Sequence, residues 1–323
     1  MHFDSRIHSV GRHSYRLVDT NRSGRSFDIE IWFPQIGQSG ELMLYELLPG
    51  VGFYGSARDG GDTPKNPLPW VIVSHGHMGT RLVYSQLCES LAAGGYVVMA
   101  LDHPGDTLFD VVSGTGVDEE TNIALRLGDL EALYRQAIGE DAGFPHGIAL
   151  DLSNLTLLGH SFGAYSVMAW AGTETGRAAT RSVICLEPYF VRLTPDEVAR
   201  VTAPVLIVAG SHDATTPVAT NVAPVLPYLA APVTALVLEG VGHQGCSDVA
   251  LYIEVAPTIP GVPDFVVEFL NTMSADTTGT AGEPWRPVRD AHIELVSAWL
   301  VSDADDRHVV ERAAAHRGTR ISA

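Results

Sequence analysis

Cysteine is scarce: only Cys88, Cys185 and Cys246 stand in a chain of 323 residues. Three thiols so widely spaced make neither a disulfide framework nor a zinc site. Cys88 and Cys185 lie in apolar stretches and read as small core residues, and Cys246, near His243, reads first as packing. Positive charge is scarce too. Lysine and arginine number 20 against 38 aspartates and glutamates, a formal net charge of −18. That balance excludes a basic stripe for nucleic acid and disfavours anionic membranes and polyanionic ligands; solubility is its plain consequence. Long apolar runs are missing as well. Stretches such as Trp70–Ser74 and Tyr96–Leu101 are strand-length, far short of the ~20 residues that span a bilayer. The opening Met1–Arg6 has neither the apolar core nor the cleavage pattern of a secretory signal. The expectation is a cytoplasmic protein with no integral membrane segment and no nucleic-acid partner.

Apolar residues, by contrast, make up 46% of the chain, enough for a sizeable core. For much of the length, short apolar runs alternate with helical patterns, which predicts a parallel sheet with helices on both faces. The opening part differs. Ser14–Asp19 and Phe27–Phe33 look like strands joined by the turn-rich Asn21-Arg22-Ser23-Gly24, and Leu42–Leu47 like a third before a Gly/Pro-rich loop from Pro49 to Pro69. That suits an antiparallel edge.

The alternation then begins. Strands are predicted at Trp70–Ser74, Tyr96–Leu101, Asn154–Leu158, Ser182–Leu186, Pro204–Ala209 and, last, Val233–Leu238. Helices are predicted at Leu82–Ala93, stopped by Gly94-Gly95, at Thr121–Ile138, at Phe162–Ala171, and at Val218–Leu229 with prolines interrupting it. In the second of these, Ile123, Leu127, Leu130, Tyr134 and Ala137 share one face. Residues 244–284 read as irregular, a small cover over one side of the site, and Trp285–Val301 as a closing amphipathic helix. The chain thus divides into one α/β domain over 1–302 and a charged, fraying tail over 303–323.

Gly159-His160-Ser161-Phe162-Gly163 fits G-x-S-x-G, after a predicted strand and before a predicted helix. That setting is what the motif requires, because the glycines permit a sharp turn that leaves the serine oxygen exposed. An ordinary glycine-rich turn would show the glycines without needing the serine. If Ser161 attacks a carbonyl, the oxygen that becomes negative needs backbone donors. Phe162 N–H is one candidate. The loop Ser74-His75-Gly76-His77-Met78-Gly79 after the first parallel strand offers another, at His77. The H-x-H spacing of His75 and His77 has no matching carboxylate or cysteine, so neither a metal nor any other cofactor is expected.

A hydroxyl attacks poorly until a base takes its proton, and histidine suits that task. In the Ser…Asp/Glu…His order the base follows the last strand, where Gly240-Val241-Gly242-His243 lies. Two carboxylates compete to orient His243. Asp213 follows the strand Pro204–Ala209, the commoner place; Glu187 follows the preceding strand. Whichever is not used is free to serve as a supporting carboxylate, or, for Asp213, as a cap near Pro217. Asp102-His103-Pro104-Gly105-Asp106 reads as a structural turn, with substrate contact by His103 as the lesser alternative.

These motifs resemble the platelet-activating-factor acetylhydrolase and dienelactone-hydrolase-like branch of the α/β-hydrolases. Leu68–Gly76, Tyr84 and Leu91–Val98 look like its oxyanion-loop block, and Gly159–Gly163 like its Gly-His-Ser-Phe-Gly elbow. Gly242-His243-Gln244 with Ser247-Asp248 is similar to its histidine block, and Phe27–Pro34 to its amino-terminal Glu-x-Trp-Phe/Tyr-Pro segment. The resemblance runs in order over residues 15–300 and implies the α/β-hydrolase fold. On the acid it divides: mammalian acetylhydrolases place theirs as at Glu187, bacterial dienelactone-like and polyester-hydrolase relatives as at Asp213. Two departures stand out. Ser161 occupies the place where dienelactone hydrolases proper usually carry cysteine, so their substrate is not implied. Ala164 replaces a frequent second glycine, a change expected to be harmless.

The expected function is hydrolysis of a small-molecule carboxylic ester (short acyl ester, lactone or polyester type) through an acyl-enzyme. Acyl transfer or cyclisation would use the same residues. A non-catalytic binding protein is the third reading, and a binding module has no need of a paired Ser161 and His243. Oligomeric state is not legible.

Overall fold

The computed structural model describes residues 8–48, 50–139, 147–279, 284–302 and 307–321. The chain opens with β1 (Ser9–Asp19), β2 (Arg25–Gln35), β3 (Leu42–Leu48) and β4 (Val51–Asp59). It continues through β5 (Leu68–Ser74), α1 (Ser85–Ala93), β6 (Val97–Leu101), α2 (Leu108–Ser113), α3 (Glu119–Ile138), β7 (Leu150–His160) and α4 (Phe162–Ala171). Then come α5 (Glu174–Ala179), β8 (Thr180–Leu186), α6 (Pro195–Ala199), β9 (Val205–Gly210), α7 (Val218–Asn221) and β10 (Val233–Leu238). The last elements are α8 (Val249–Val255), α9 (Asp264–Asn271), α10 (Ala275–Thr278), α11 (Arg286–Val301), α12 (Arg307–Ala315) and β11 (Gly318–Arg320).

Among the described residues, eleven strands form one sheet in the order β11-β10-β9-β8-β7-β5-β6-β2-β1-β4-β3. From β6 through β10 the pairs are parallel. At the N-terminal edge β2 pairs antiparallel with β6 and with β1. This is the α/β-hydrolase fold.

The central strands read as continuous apolar runs because both their faces are covered. Every residue of β6 and of β9 is buried. Side chains alternate between two cores. Ile72, Leu157, Val183 and Ile207 face one layer with residues of α3 and α4, while Val71, Leu158, Ile184 and Val208 face the other with residues of α1 and α11. On α3, Leu130 and Ala137 are buried, and Leu127 and Tyr134 pack against the same core, as the helical spacing predicts. No helix among the described residues is long and apolar enough to cross a membrane.

Four expectations need correction. The loop expected from Pro49 to Pro69 contains β4, although residue 49 itself lies outside the described residues. Glycine disguises this strand: a side chain at Gly52 would strike the Tyr45 carbonyl oxygen at 2.4 Å, and one at Gly55 would meet the Glu89 carboxylate. The expected helix Val218–Leu229 stops at Asn221, because Pro224 and Pro227 have no N–H to continue it. Residues 244–284 hold three short helices, α8 to α10, with 280–283 outside the described residues. The tail also folds: Val309 and Ala313 of α12 are buried, and β11 pairs antiparallel with β10, so β10 is not the last strand. Those two small apolar positions among charges left little periodic signal. Residues 1–7, including the segment read for a secretory signal, lie outside the described residues.

Candidate active site

Ser161 sits between β7 and α4 with φ 53° and ψ −120°, a conformation that side chains rarely adopt. The flanking glycines make this bend possible. A side chain at Gly159 would lie 2.3 Å from the Gly163 carbonyl oxygen, and one at Gly163 would lie 2.0 Å from that of Ser74. Strand end and helix start therefore approach closely enough to push the serine outward. The bend is tied down by hydrogen bonds from Ser161 N–H to the Leu186 carbonyl, 3.0 Å, and from Tyr189 N–H to the Ser161 carbonyl, 3.0 Å.

His243, in the turn after β10, brings Nε2 to 2.9 Å from Ser161 Oγ. Its Nδ1 lies 2.8 Å from Asp213 Oδ2. The other carboxylate oxygen of Asp213 accepts the N–H groups of Thr215 and Thr216 at 2.9 and 2.7 Å. The Thr216 hydroxyl stands 2.6 Å from Asp213 Oδ2. Burial works to raise the Asp213 carboxyl, but its bonds to His243 and Thr216 outweigh that and hold it below its ordinary value. Asp213 thus forms an Asx turn while facing the imidazole; α7 follows Pro217 with no side-chain cap, so the reading of Asp213 as a helix cap does not hold.

Glu187 lies elsewhere. It is fully buried, has φ 38°, and places Oε1 2.8 Å from Nε2 of His292 on α11. Burial disfavours a charged His292, yet the facing Glu187 carboxylate overcomes this and raises its pKa. Glu187, His160 and Cys246 offer ligand atoms within 4.8 Å of one another. Both ring nitrogens of His160, however, are already engaged. Its Nε2–H donates to the His243 carbonyl at 2.8 Å, so Nδ1 must accept from the Tyr84 hydroxyl at 2.7 Å. Tyr84 in turn accepts the Gly76 N–H at 3.3 Å. Burial, helped by nearby His243, pushes His160 down to about 3, so the ring is neutral. Cys246, Cys88 and Cys185 are all buried.

His77 lines two cavities that meet at Ser161, of about 370 Å³ and about 240 Å³. The larger is also lined by Phe162, Glu119, Asn122 and Tyr189, the smaller by Met78, Leu270 and Met273. As the first residue of α4, Phe162 has no acceptor for its N–H within the helix. Met78 next to His77 has φ 59°. The His77 ring turns toward Asp106 and bonds it through Nδ1, which raises the histidine's pKa. His75 and His103 are both buried under the loop. His103 joins Ser74 at 2.9 Å to Asp129 at 3.1 Å, so it faces the protein interior, as the structural-turn reading has it.

Sequence reading missed several members of this assembly: Tyr84 and His160 as a pair, Thr216, His292, Asp106 and Arg126. One had a visible signal. Arg126 falls three residues after Ile123 and four before Leu130, on the apolar face of α3, where a charge is out of place.

Comparison with known proteins bears on the same region. The family described as platelet-activating factor acetylhydrolase, isoform II, matches residues 56–111. A probable 1-alkyl-2-acetylglycerophosphocholine esterase from Arthroderma benhamiae is 32% identical over 107 residues, which is 32% of this chain and 27% of that protein. The chain therefore spans about a quarter of that relative's length. Among solved structures, a ferulic acid esterase from Streptomyces cinnamoneus superposes with a TM-score of 0.76 over 99% of this chain and 98% of that one, at 19% identity. The relatives' names are those of esterases, and the likenesses agree with the α/β-hydrolase fold and with the acetylhydrolase-like resemblance of the motifs.

Proposed function

We propose that the chain is a serine hydrolase that cleaves a small-molecule carboxylic ester through an acyl-enzyme. The observation that carries this reading is the unbroken line from Ser161 Oγ through His243 to Asp213, with steps of 2.9 and 2.8 Å, opening onto two cavities. In this mechanism Ser161 Oγ attacks the ester carbonyl as His243 Nε2 takes its proton. Asp213 keeps the proton on Nδ1, so that Nε2 is free to accept, and stabilises the imidazolium that follows. The oxyanion is received by the N–H groups of Phe162 and His77. His243 then hands its proton to the leaving alcohol, and a water activated by the same ring releases the acid. The esterase names of the relatives support the reaction class. The acidic balance of the chain fits an uncharged ester better than a polyanion.

The test is turnover of a short-chain p-nitrophenyl ester together with labelling by a fluorophosphonate. Ser161→Ala should abolish labelling and lower kcat by ~10³ or more. Full activity in that variant would remove Ser161 as the nucleophile.

A further inference from the structure

Beneath the loop that follows β5 lies a fully buried guanidinium, that of Arg126 on α3. Its Nη1 donates to the His75 carbonyl at 2.7 Å, and its Nη2 to the Gly76 carbonyl at 3.2 Å. Nε and Nη2 also grip Asp106 Oδ2, at 2.8 and 2.5 Å. The guanidinium carbon stands 4.9 Å from the centre of the Phe162 ring. One side chain therefore touches both segments from which the proposed oxyanion donors come.

The Gly76 carbonyl and the His77 N–H belong to the same peptide group. In a planar trans peptide these two bonds point in opposite directions. Whatever fixes the direction of the Gly76 oxygen thereby fixes the His77 N–H. That oxygen also receives His75 Nδ1–H at 2.7 Å and Gly79 N–H at 3.0 Å. Arg126 differs from those two because it comes from outside the loop and is itself anchored by Asp106. Asp106 holds the loop a second time, through the His77 ring and through the Met78 N–H, which donates to the Asp106 carbonyl at 3.1 Å. A guanidinium can hold two carbonyls and a carboxylate at once because its donors spread in a rigid plane, whereas an ammonium is a single point.

We propose that Arg126 is a positioning residue that aims the His77 N–H at the oxyanion and seats Phe162 beside it. The proposal rests on the reading of Ser161 as nucleophile. It touches no substrate; its effect passes through the two donors. Because its service is to an oxygen that is negative only in the transition state, its loss should lower kcat and leave ground-state binding alone.

The experiment compares the wild type with Arg126→Lys and Arg126→Met, each checked for folding by thermal melting. Three readouts are taken: kcat and KM on a p-nitrophenyl ester, affinity for a trifluoromethyl ketone, and affinity for the corresponding secondary alcohol. The ketone is attacked by Ser161 and acquires an oxyanion; the alcohol cannot be attacked. Expected is a fall in kcat of roughly 10- to 100-fold, below the ~10²–10³ seen when an oxyanion donor is removed outright. Ketone affinity should fall in parallel, with KM and alcohol affinity unchanged. A folded variant that keeps kcat within about threefold, or loses ketone and alcohol affinity equally, overturns the proposal. If neither variant folds, a crystal structure of the wild type with the ketone decides: the oxyanion must contact His77 N–H while Arg126 still holds the Gly76 carbonyl, and an oxyanion away from His77 overturns it. A wild type that neither turns over esters nor takes the fluorophosphonate would instead overturn the hydrolase reading.

Discussion

At the level of single residues, Asp213 and Glu187 present the sharpest contrast. Both are buried carboxylates that follow adjacent parallel strands, and each faces a histidine at 2.8 Å. Only the histidine facing Asp213 reaches Ser161. Asp213→Asn should therefore lower kcat by ~10⁴, the scale associated with the wrong tautomer of the base. Glu187→Gln should cost far less activity and show itself mainly in stability, since it leaves His292 without its charge partner. Steady-state kinetics and thermal melts on the two variants check this, and equal, small losses in kcat would defeat the assignment of Asp213. Sequence order alone could not separate these two, because both lie at the carboxyl edge of neighbouring strands. Ser161 and His243 were legible because each has a required place in the strand order. Tyr84 and His292 were not, because their partners lie 76 and 105 residues away in the chain. Arg126 showed only as a charge on an apolar helix face, with its carbonyl partner at Gly76 lying 50 residues earlier.

At the level of elements, the turn around Ser161 tolerates no extra atom. Gly163→Ala would drive a methyl group into the Ser74 carbonyl at 2.0 Å, against backbone that belongs to β5. Separation of α4 from β5 or loss of folding should follow, with fluorophosphonate labelling falling at least as far as stability; a folded, fully labelled Gly163→Ala protein would show that the close approach is dispensable. The other informative element is β11, which covers the outer edge of β10. Ending the chain after Ser302 removes both β11 and the buried Val309 and Ala313 of α12. The truncated protein should melt at a lower temperature and aggregate more readily, because an exposed strand edge invites pairing; light scattering during a thermal ramp reports both. These elements were poorly legible for physical reasons. The glycines of β4 pack by close backbone approach rather than by apolar side chains, and β11 is held by backbone bonds that three residues of Gly-Thr-Arg do not advertise. The long central strands announced themselves because burial on both faces demands unbroken apolar runs.

Across the whole molecule, the ionisation of buried groups sets an acid limit. His103 is pushed down to about 4 and His160 to about 3, and His75 is lowered well below its ordinary value, all chiefly by burial. Below an unfolded histidine pKa of ~6.5 the unfolded chain binds protons that these folded histidines refuse, so stability falls as the pH drops, by up to about 1.4 kcal/mol per pH unit for each. Asp248 acts in the opposite sense. Burial raises it to about 7, so below that pH the folded protein holds a proton that the unfolded chain has lost. Asp102, also raised by burial, sides with Asp248. His77 and His292, raised by their carboxylate partners, act mainly above ~6.5. The three lowered histidines still outnumber the two carboxyls in this window and leave a net loss. The melting temperature should fall between about pH 6.5 and 4.5, and His103→Gln should make that fall shallower. Melting curves across this range check the point, and a flat or rising profile would contradict it.

The hydroxyl of Tyr84 has one more consequence. Gly76 follows β5, His160 ends β7 and His243 follows β10, and a relay of three hydrogen bonds through this phenol fastens all of them together. Parts clamped to a common bracket loosen together. On slow heating, the temperature at which turnover disappears should coincide with the temperature at which the sheet melts, with no interval in which an intact fold carries a slackened machine. Removing the bracket with Tyr84→Phe should open such an interval, and the gap between the two midpoints would gauge how much rigidity a single phenolic oxygen lends to three distant turns.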